Sequence, residues 1–249
     1  MRASTVVAAA ALAGLLSIAV AGFASAQAAA PPPLPPGMDA YYFGLLYRGP
    51  AWTPGETDET KKIQEGHMAN IQRMADVGAL VAAGPIEGGD RLRGIFIFRV
   101  KTAEEARALA ANDPAIKAGR LTLDLHQWTG PAGIGARYAQ EHKANPSARV
   151  TMRTYQLGLL MAVEGAPEAT PDAQREHLER IAAIQAAGKL AAVGPVAGEG
   201  PLRGIFVFNT DAAEAKALVA ADPHVKAGRM RAEIFTWWCA EKVMPTGGV

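Results

Sequence analysis

The chain has 249 residues, of which 49% are hydrophobic and 20% charged, and its formal net charge is +1 at pH 7. This composition is typical of a globular protein with one or two domains, and it lacks the basic excess expected of a nucleic-acid-binding protein. The single cysteine, Cys239, excludes an internal disulfide. No cluster of zinc ligands is visible in the sequence, and we expect no metal and no nucleic acid among its partners.

The N-terminal 26 residues predict a signal peptide. Arg2 precedes the apolar run VVAAAALAGLLSIAVAGF, and Ala24-Ser25-Ala26 fits a small-residue cleavage site. We expect a periplasmic or secreted protein that starts near Gln27 and makes no membrane contact after cleavage. The alternative is an uncleaved anchor, because the run is about long enough to cross a bilayer. Residues 27–39 are predicted to be a Pro-rich spacer.

Residues 40–129 show the pattern of one complete module. An aromatic strand over 40–48 precedes a helix over 59–77, on which apolar residues recur at helical spacing. Two short strands, in ALVAAG and LRGIFIFRV, come next. Thr102, three residues before Glu105, forms a capping-box pattern that begins a second helix. The alternating stretch RLTLDLHQW is the last strand, so the order is β-α-β-β-α-β, that of a ferredoxin-like fold.

The module occurs twice. AAGPIEGGDRLRGIFIF over 82–98 is repeated as AVGPVAGEGPLRGIFVF over 192–208. The second copy, 150–240, is predicted to place its elements over 151–163, 170–187, 189–194, 201–209, 211–220 and 229–238. The matched residues include Gly44 with Gly158, His67 with His177, Pro85 with Pro195, Asp113 with Asp222, Lys117 with Lys226, and Trp128 with Trp237. Residues 130–149 are the expected linker, and 241–249 a tail.

The third strand of each copy explains the duplication. Ile95 and Ile97 point to one face of the sheet, and Phe96 and Phe98 to the other. Helices can cover only one face, and the other would leave a large apolar patch in water. We therefore predict an α+β fold in which two tandem ferredoxin-like modules pair their sheets as an intramolecular pseudo-dimeric α/β-barrel.

The ordered set of motifs resembles the YCII-related family. It comprises a helix that carries His, the pattern AAG-x-L-x-x-x-GP, a GIFIF strand, DP-x-x-KAG and a closing aromatic strand. The resemblance covers nearly all of 40–128 and of 151–238. It implies a dimeric α/β-barrel, usually built from two chains and here from two fused copies. The residue soon after Asp-Pro departs from the usual aromatic or aliphatic type: it is Ala115 in one copy and His224 in the other.

The resemblance also implies a His–Asp active site. Its histidine falls on His67 and His177, and its aspartate on Asp113 and Asp222. Most members have no known substrate, although one characterised relative acts as a dehydrochlorinase on a chlorinated hydroxyquinol.

The residues themselves leave two interpretations of each pair open. His67 and His177 lie on the sheet-facing stripe of their helices, where a histidine is either a satisfied core residue or a general base. A carboxylate partner holds the tautomer of an imidazole and raises its basicity. Asp113 and Asp222 precede proline, where aspartate commonly caps a turn. One carboxylate oxygen can cap the turn while the other binds the histidine.

Further residues that recur in both copies are candidates for substrate binding. Arg93 and Arg203 begin the third strands, where they either bind an anionic substrate group or lie solvated at the edge. Trp128 and Trp237 are candidate substrate-binding residues or core. Lys117, Lys226, Arg120 and Arg229 are surface residues or the rim of a pocket. We assign no role to His126, His142 and His224, and Cys239 is expected to be structural.

Three functions are consistent with the sequence. The first is an enzyme without a cofactor, in which the dyads act as general acid/base in elimination or isomerisation of a small metabolite, aromatic metabolites included. The second is a non-catalytic barrel that binds a small ligand, and the third is a structural or assembly module. Edge strands leave a homo-oligomer open.

Overall fold

The structure of the protein is a computed structural model that describes residues 33–245. The predicted signal peptide over 1–26 lies outside the described residues, as does the first part of the spacer. In the part that is described, no helix combines the length and the apolar character needed to cross a bilayer.

The first module follows the predicted order, with one short helix added before its last strand. Its elements are β1 (Met38–Arg48), α1 (Asp58–Asp76), β2 (Leu80–Pro85), β3 (Leu92–Phe98), α2 (Ala103–Ala110), α3 (Pro114–Lys117) and β4 (Leu121–Pro131). Thr102 caps α2 by accepting a hydrogen bond from the backbone N–H of Glu105, as the capping-box pattern predicts. The short α3 begins where the sequence indicated only a turn, because Asp113 caps it and Pro114 suits its first position.

The second module repeats these elements. They are β5 (Met152–Ala162), α5 (Pro171–Ala186), β6 (Leu190–Pro195), β7 (Leu202–Phe208), α6 (Ala212–Ala220), α7 (Pro223–Lys226) and β8 (Met230–Ala240). Between the modules, the linker contains a helix that the sequence analysis did not predict, α4 (Ala136–Ala144).

Each module forms a four-stranded antiparallel sheet. The strand order is β2-β3-β1-β4 in the first sheet and β6-β7-β5-β8 in the second. The two modules share their register as well: Gly44 lies opposite Phe96 and Gly158 opposite Phe206. The α+β class and the tandem ferredoxin-like architecture are therefore confirmed.

The sheets meet face to face and along their edges. A single apolar core fills the space between them and includes Phe43, Trp128, Leu157 and Trp237, which are all fully buried. β2 lies against β8, and β4 against β6. At these seams the N–H of Glu87 donates to the carbonyl of Thr236, and the N–H of Ala197 donates to that of Gln127. Each copy thus covers the open face of the other.

The helices form an outer layer on each sheet. In the first module, Met74, Phe96 and Ala106 belong to a second apolar cluster between the helices and the sheet. Leu160, Ile184 and Phe208 belong to the equivalent cluster of the second module. The predicted dyads lie in these outer layers, outside the inter-sheet core.

Candidate active site

The first dyad is built where α1 crosses α3. Thr57 caps α1 with a reciprocal hydrogen-bonded capping box, which fixes where the helix begins and hence which side chains face the sheet. His67 occupies that face and stacks on Phe96, with ring centroids 5.9 Å apart. Asp113 is the N-cap of α3 and is fully buried beneath α1.

Asp113 divides its two carboxylate oxygens between two tasks. Its Oδ1 accepts the backbone N–H of Ala115 at 2.9 Å, which is the turn cap. Its Oδ2 lies 2.8 Å from Nδ1 of His67 and also accepts a hydrogen bond from Nδ2 of Asn70 at 3.2 Å. A buried carboxylate with three donors is well satisfied, and it holds the imidazole in one orientation.

The second dyad repeats this arrangement with different support. Nδ1 of His177 lies 2.5 Å from Oδ2 of Asp222, and Oδ1 accepts the backbone N–H of His224 at 2.9 Å. Burial by itself would raise the pKa of Asp222. The hydrogen bond and charge of His177, together with the backbone N–H, outweigh burial and hold that pKa below its usual value.

His224 is a functional candidate that the sequence analysis passed over. Its ring is almost fully buried and lies 5.0 Å from the ring of His177. Nε2 is 3.2 Å from Oε1 of Gln174, while Nδ1 is buried without a hydrogen-bond partner in the described part of the chain. Burial lowers the pKa of His224, and the charge of His177 lowers it further. The indication was available in its alignment with Ala115, one residue past Asp-Pro.

The geometry defines which ring nitrogen of each dyad histidine binds the carboxylate. An ionised carboxylate can only accept hydrogen bonds, so Nδ1 of His67 donates to Asp113 and Nε2 is the ring nitrogen that points elsewhere. Among residues 33–245, no hydrogen bond engages Nε2 of His67 or of His177, and neither atom is sealed from solvent. Each Nε2 is therefore the nitrogen through which the imidazole can meet a bound molecule.

Two cavities differ in their size and in their position relative to the dyads. One, with room for about 10 Å³, is lined by Asp222, Arg180 and apolar side chains, and it fits about one water molecule. The other holds about 590 Å³ and lies between α1, β2 and α4. The imidazoles line neither of these two cavities.

The predicted arginines and tryptophans lie away from the dyads. Trp128 and Trp237 are fully buried in the inter-sheet core, on the other face of the sheets from the histidines, where they are packing residues. Arg93 donates to the carbonyl of Gly89, and Arg203 to that of Gly198. In the described residues, neither arginine bonds to a dyad.

One further cluster distinguishes the first module. The guanidinium groups of Arg48, Arg93 and Arg120 lie 4.7 to 5.1 Å from the ring centroid of Trp52, in the longer loop between β1 and α1. Burial and the charge of Arg48 lower the pKa of Arg93. Cys239 is fully buried, and burial raises its pKa to about 12, which makes it an inert core thiol. Within residues 33–245, no three His, Cys, Asp or Glu side chains form a group that could hold a metal ion.

Comparison with known proteins agrees with this architecture. Residues 42–128 match the model of the YCII-related domain, so the first module is a YCII-related domain. That stretch contains His67, Asp113 and the strands that support them. No curated protein matches the chain in sequence.

Solved structures with a similar fold cover both modules. A double mutant of chlorite dismutase from Candidatus Nitrospira defluvii shares 14% sequence identity, with a TM-score of 0.50, over 81% of this chain and 91% of its own. The protein TA0507, provisionally assigned as a chlorite dismutase, shares 8% identity with a TM-score of 0.51 over 80% of this chain and 94% of its own. At these identities the likeness is one of fold, and it supports the tandem barrel alone.

Proposed function

We propose that this protein is an exported enzyme that uses its His–Asp dyads for general acid/base chemistry on a small metabolite. The reaction classes are elimination and isomerisation, and aromatic compounds are the first substrates to test. His67 and His177 act as the bases, while Asp113 and Asp222 orient them. The chemistry needs only the protein's own groups and no cofactor.

The repetition of the dyad is the observation that supports this proposal best. The helices that carry the histidines have diverged to KKIQEGHMANIQRM and DAQREHLERIAAIQ, yet both keep the imidazole within hydrogen-bonding distance of an aspartate. A core histidine needs only some hydrogen-bond partner. A general base needs a carboxylate beside one ring nitrogen and a second ring nitrogen without a protein partner, and this arrangement in both dyads, among the described residues, supports the proposal.

The proposed step follows from that geometry. Nε2 of His67 takes a proton from an acidic C–H or O–H of the substrate, and the electron pair of that bond stays on the substrate. In an elimination the pair forms a double bond and expels a leaving group such as chloride, and the imidazolium then releases its proton to water. In an isomerisation the imidazolium returns the proton to another atom. Asp113 stabilises the imidazolium in both cases.

A non-catalytic ligand-binding barrel is the second candidate, and the structural or assembly role is the third. The 590 Å³ cavity away from the dyads favours ligand binding over a purely structural role. A homo-oligomer remains a prediction, to be tested by the mass of the protein in solution.

Proton exchange tests the enzyme across a whole class of candidate substrates. The protein is incubated in D₂O with a panel of chlorinated and hydroxylated aromatic compounds, and ¹H NMR and ion chromatography follow C–H exchange and chloride release. We expect His67→Gln and His177→Gln each to remove one site's share of turnover, and the double variant to lose at least about 100-fold.

The matched control is His126→Gln, because His126 lies on β4, outside the dyads, and lines neither of the two cavities described above. Thermal unfolding verifies that each variant is folded. A folded double variant that keeps its turnover contradicts the acid/base role. Saturable ligand binding with no exchange for any compound would favour the binding protein. Export is tested separately, by N-terminal sequencing of protein recovered outside the cytoplasm, where we expect Gln27 first.

A further inference from the structure

The linker between the modules creates a cavity that the repeat alone does not contain. Helix α4 lies over the C-terminal half of α1 and the strand β2, and the space enclosed holds about 590 Å³. Pockets of about 300 to 1,000 Å³ are the usual size for small-molecule sites. None of the four dyad residues lines it, so it is separate from the proposed active site.

The cavity is preformed because α4 is anchored at both ends. The N–H of Gly135 donates to the carbonyl of Val243 at 2.7 Å, and Lys242 pairs with Glu141 at 2.6 Å. Gly135 has φ = +77°, and a Cβ there would lie 2.4 Å from the carbonyl oxygen of Val81, so the close approach requires glycine. Tyr138 packs from the helix onto the inter-sheet core.

The walls and the rim of the cavity differ in character. The walls are apolar and include Ile71, Leu80, Ala83 and Val243. The rim carries three basic side chains, which are Arg99, His142 and Lys143. Its one acid, Asp76, accepts a hydrogen bond from Gln72 at 2.7 Å. In the described chain, neither Arg99 nor Lys143 forms an ion pair with a carboxylate within 4.0 Å.

The second module differs from the first at the polar residues that line the cavity. Its residues equivalent to Gln72, Asp76 and Arg99 are Ala182, Ala186 and Asn209. Up to residue 245, no helix follows β8 in the way that α4 follows β4. Within residues 33–245, the basic rim and the covering helix are therefore found beside the first module alone.

We propose that this cavity, hereafter the linker cavity, binds a small organic anion with an apolar body. The apolar walls would take a hydrocarbon or aromatic group, and Arg99 and Lys143 at the rim would pair with a single carboxylate or sulfonate. Charge complementarity selects this class, because a neutral molecule would leave the basic rim without a partner and a highly charged one would not enter the apolar walls.

Two fluorescent probes test the apolar and the charged parts separately. 1-Anilinonaphthalene-8-sulfonate has the apolar body and the anion, and N-phenyl-1-naphthylamine has the same body without the charge. We expect saturable binding of the sulfonate at one site. Ala139→Trp fills the linker cavity from an exposed helix position and should weaken binding at least tenfold. Ala136→Trp, on the same helix but outside the lining, is the matched control and should bind as the parent does.

The charged rim is tested by Arg99→Gln with Lys143→Gln. We expect the sulfonate to bind about tenfold more weakly while the neutral probe is unchanged. The control is Lys61→Gln with Lys62→Gln, which removes the same charge from the start of α1. Equal weakening of both probes, unchanged binding by the folded Ala139→Trp protein, or no saturable binding would each overturn the proposal. The His67→Gln/His177→Gln protein should bind both probes normally, so this test stands apart from the enzymatic one.

Discussion

The two modules have the same backbone but satisfy their buried carboxylates differently. Asp113 accepts hydrogen bonds from His67, Asn70 and the N–H of Ala115. Asp222 accepts from His177 and from the N–H of His224. Arg180 stands where Asn70 does, and it donates to the carbonyl of Leu218 instead. Both copies keep the histidine, the aspartate and the turn cap, while the additional support from Asn70 is found in the first module.

The loops differ more than the dyads. The first module carries Trp52 and its three arginines, and α4 follows its last strand. Two of these arginines, Arg93 and Arg120, have counterparts in Arg203 and Arg229, whereas Ala162 stands at the equivalent of Arg48 at the end of its strand. Loops and strand ends tolerate such change because they do not support the inter-sheet core. The two modules therefore share their interior and differ at their surface. The substitutions below test whether interior positions contribute equally in both modules and surface positions do not.

The largest effect is expected at the two seams of the barrel. A Cβ on Gly84 would lie 1.8 Å from the carbonyl oxygen of Trp238, and one on Gly194 would lie 1.7 Å from that of Thr129. Because backbone atoms block both positions, Gly84→Ala and Gly194→Ala should each cost more than about 3 kcal/mol of unfolding free energy in urea titrations. Gly200→Ala, which meets no atom within 4 Å, is the control. Unequal losses at the two seams would show that the barrel is not closed symmetrically.

The two buried carboxylates should contribute unequally to the free energy of unfolding. Asp113→Ala removes a cap and leaves His67 and Asn70 without their acceptor, so we expect a loss of about 3 kcal/mol. Asp222→Ala should cost about 2 kcal/mol of unfolding free energy, because it removes the acceptor of one side chain where Asp113→Ala removes that of two. Chemical denaturation measures both. Asn70→Ala should cost about 1 kcal/mol, and a cost near zero would mean that Asn70 does not support the carboxylate.

The pH dependence of stability should come from the second module. Burial and the charge of His177 lower the pKa of His224 in the folded protein, so the unfolded chain binds more protons as the pH falls through the ordinary histidine pKa of about 6.5. Stability contributed by neutral His224 is therefore present above that pH and lost below it. Besides His177, the charged groups that act on it are Asp222 and Arg229.

Substitutions at the equivalent positions His224 and Ala115 test whether His224 causes this pH dependence. His224→Ala should reduce the stability lost between about pH 8 and pH 5.5, and Ala115→His should introduce a similar loss into the first module. Thermal melts across this range measure both effects. A parent and a His224→Ala protein with the same pH profile would remove His224 as the cause.

The smallest effect is expected at the Trp52 cluster. Arg48 pairs with Asp90 at 2.6 Å, and both side chains are well exposed. Arg48→Gln should change the free energy of unfolding by less than about 0.5 kcal/mol, because exposed ion pairs contribute little. Urea titration with Ala162→Gln, at the equivalent place of the second module, is the comparison. A large loss for Arg48→Gln alone would mean that the cluster is structural.

Most of the fold was predictable because the motifs recur in order. The repeat of LRGIF, with apolar residues on both faces of the strand, required a second sheet, and the inter-sheet core confirms it. The pattern around α2 predicted its cap at Thr102. Helix α4 was missed because its sequence, ARYAQEHKA, has no buried residue and is held by contacts with Val243 and Lys242 that are distant in the sequence.

The candidate site was predictable only in part. The recurrence of His67 and Asp113 in the second copy indicated a pair, although the spacing of 46 residues does not by itself bring the two side chains together. His224 was left without a role because a single difference between copies does not reveal which side chains it contacts. The tryptophans were candidates for substrate binding because aromatic residues serve both cores and pockets, and their burial at 0% exposure places them in the core.

The sequence by itself determined the duplication, the module order and the residue types of the dyads, because periodicity, capping and turn chemistry are local properties of the chain. Only the tertiary structure decided that Asp113 caps α3 with one oxygen and binds His67 with the other, that His224 lies against His177, and that α4 encloses the linker cavity. Each of these arrangements joins residues that are distant in the sequence. Packing between helices and strands therefore determines whether they come together.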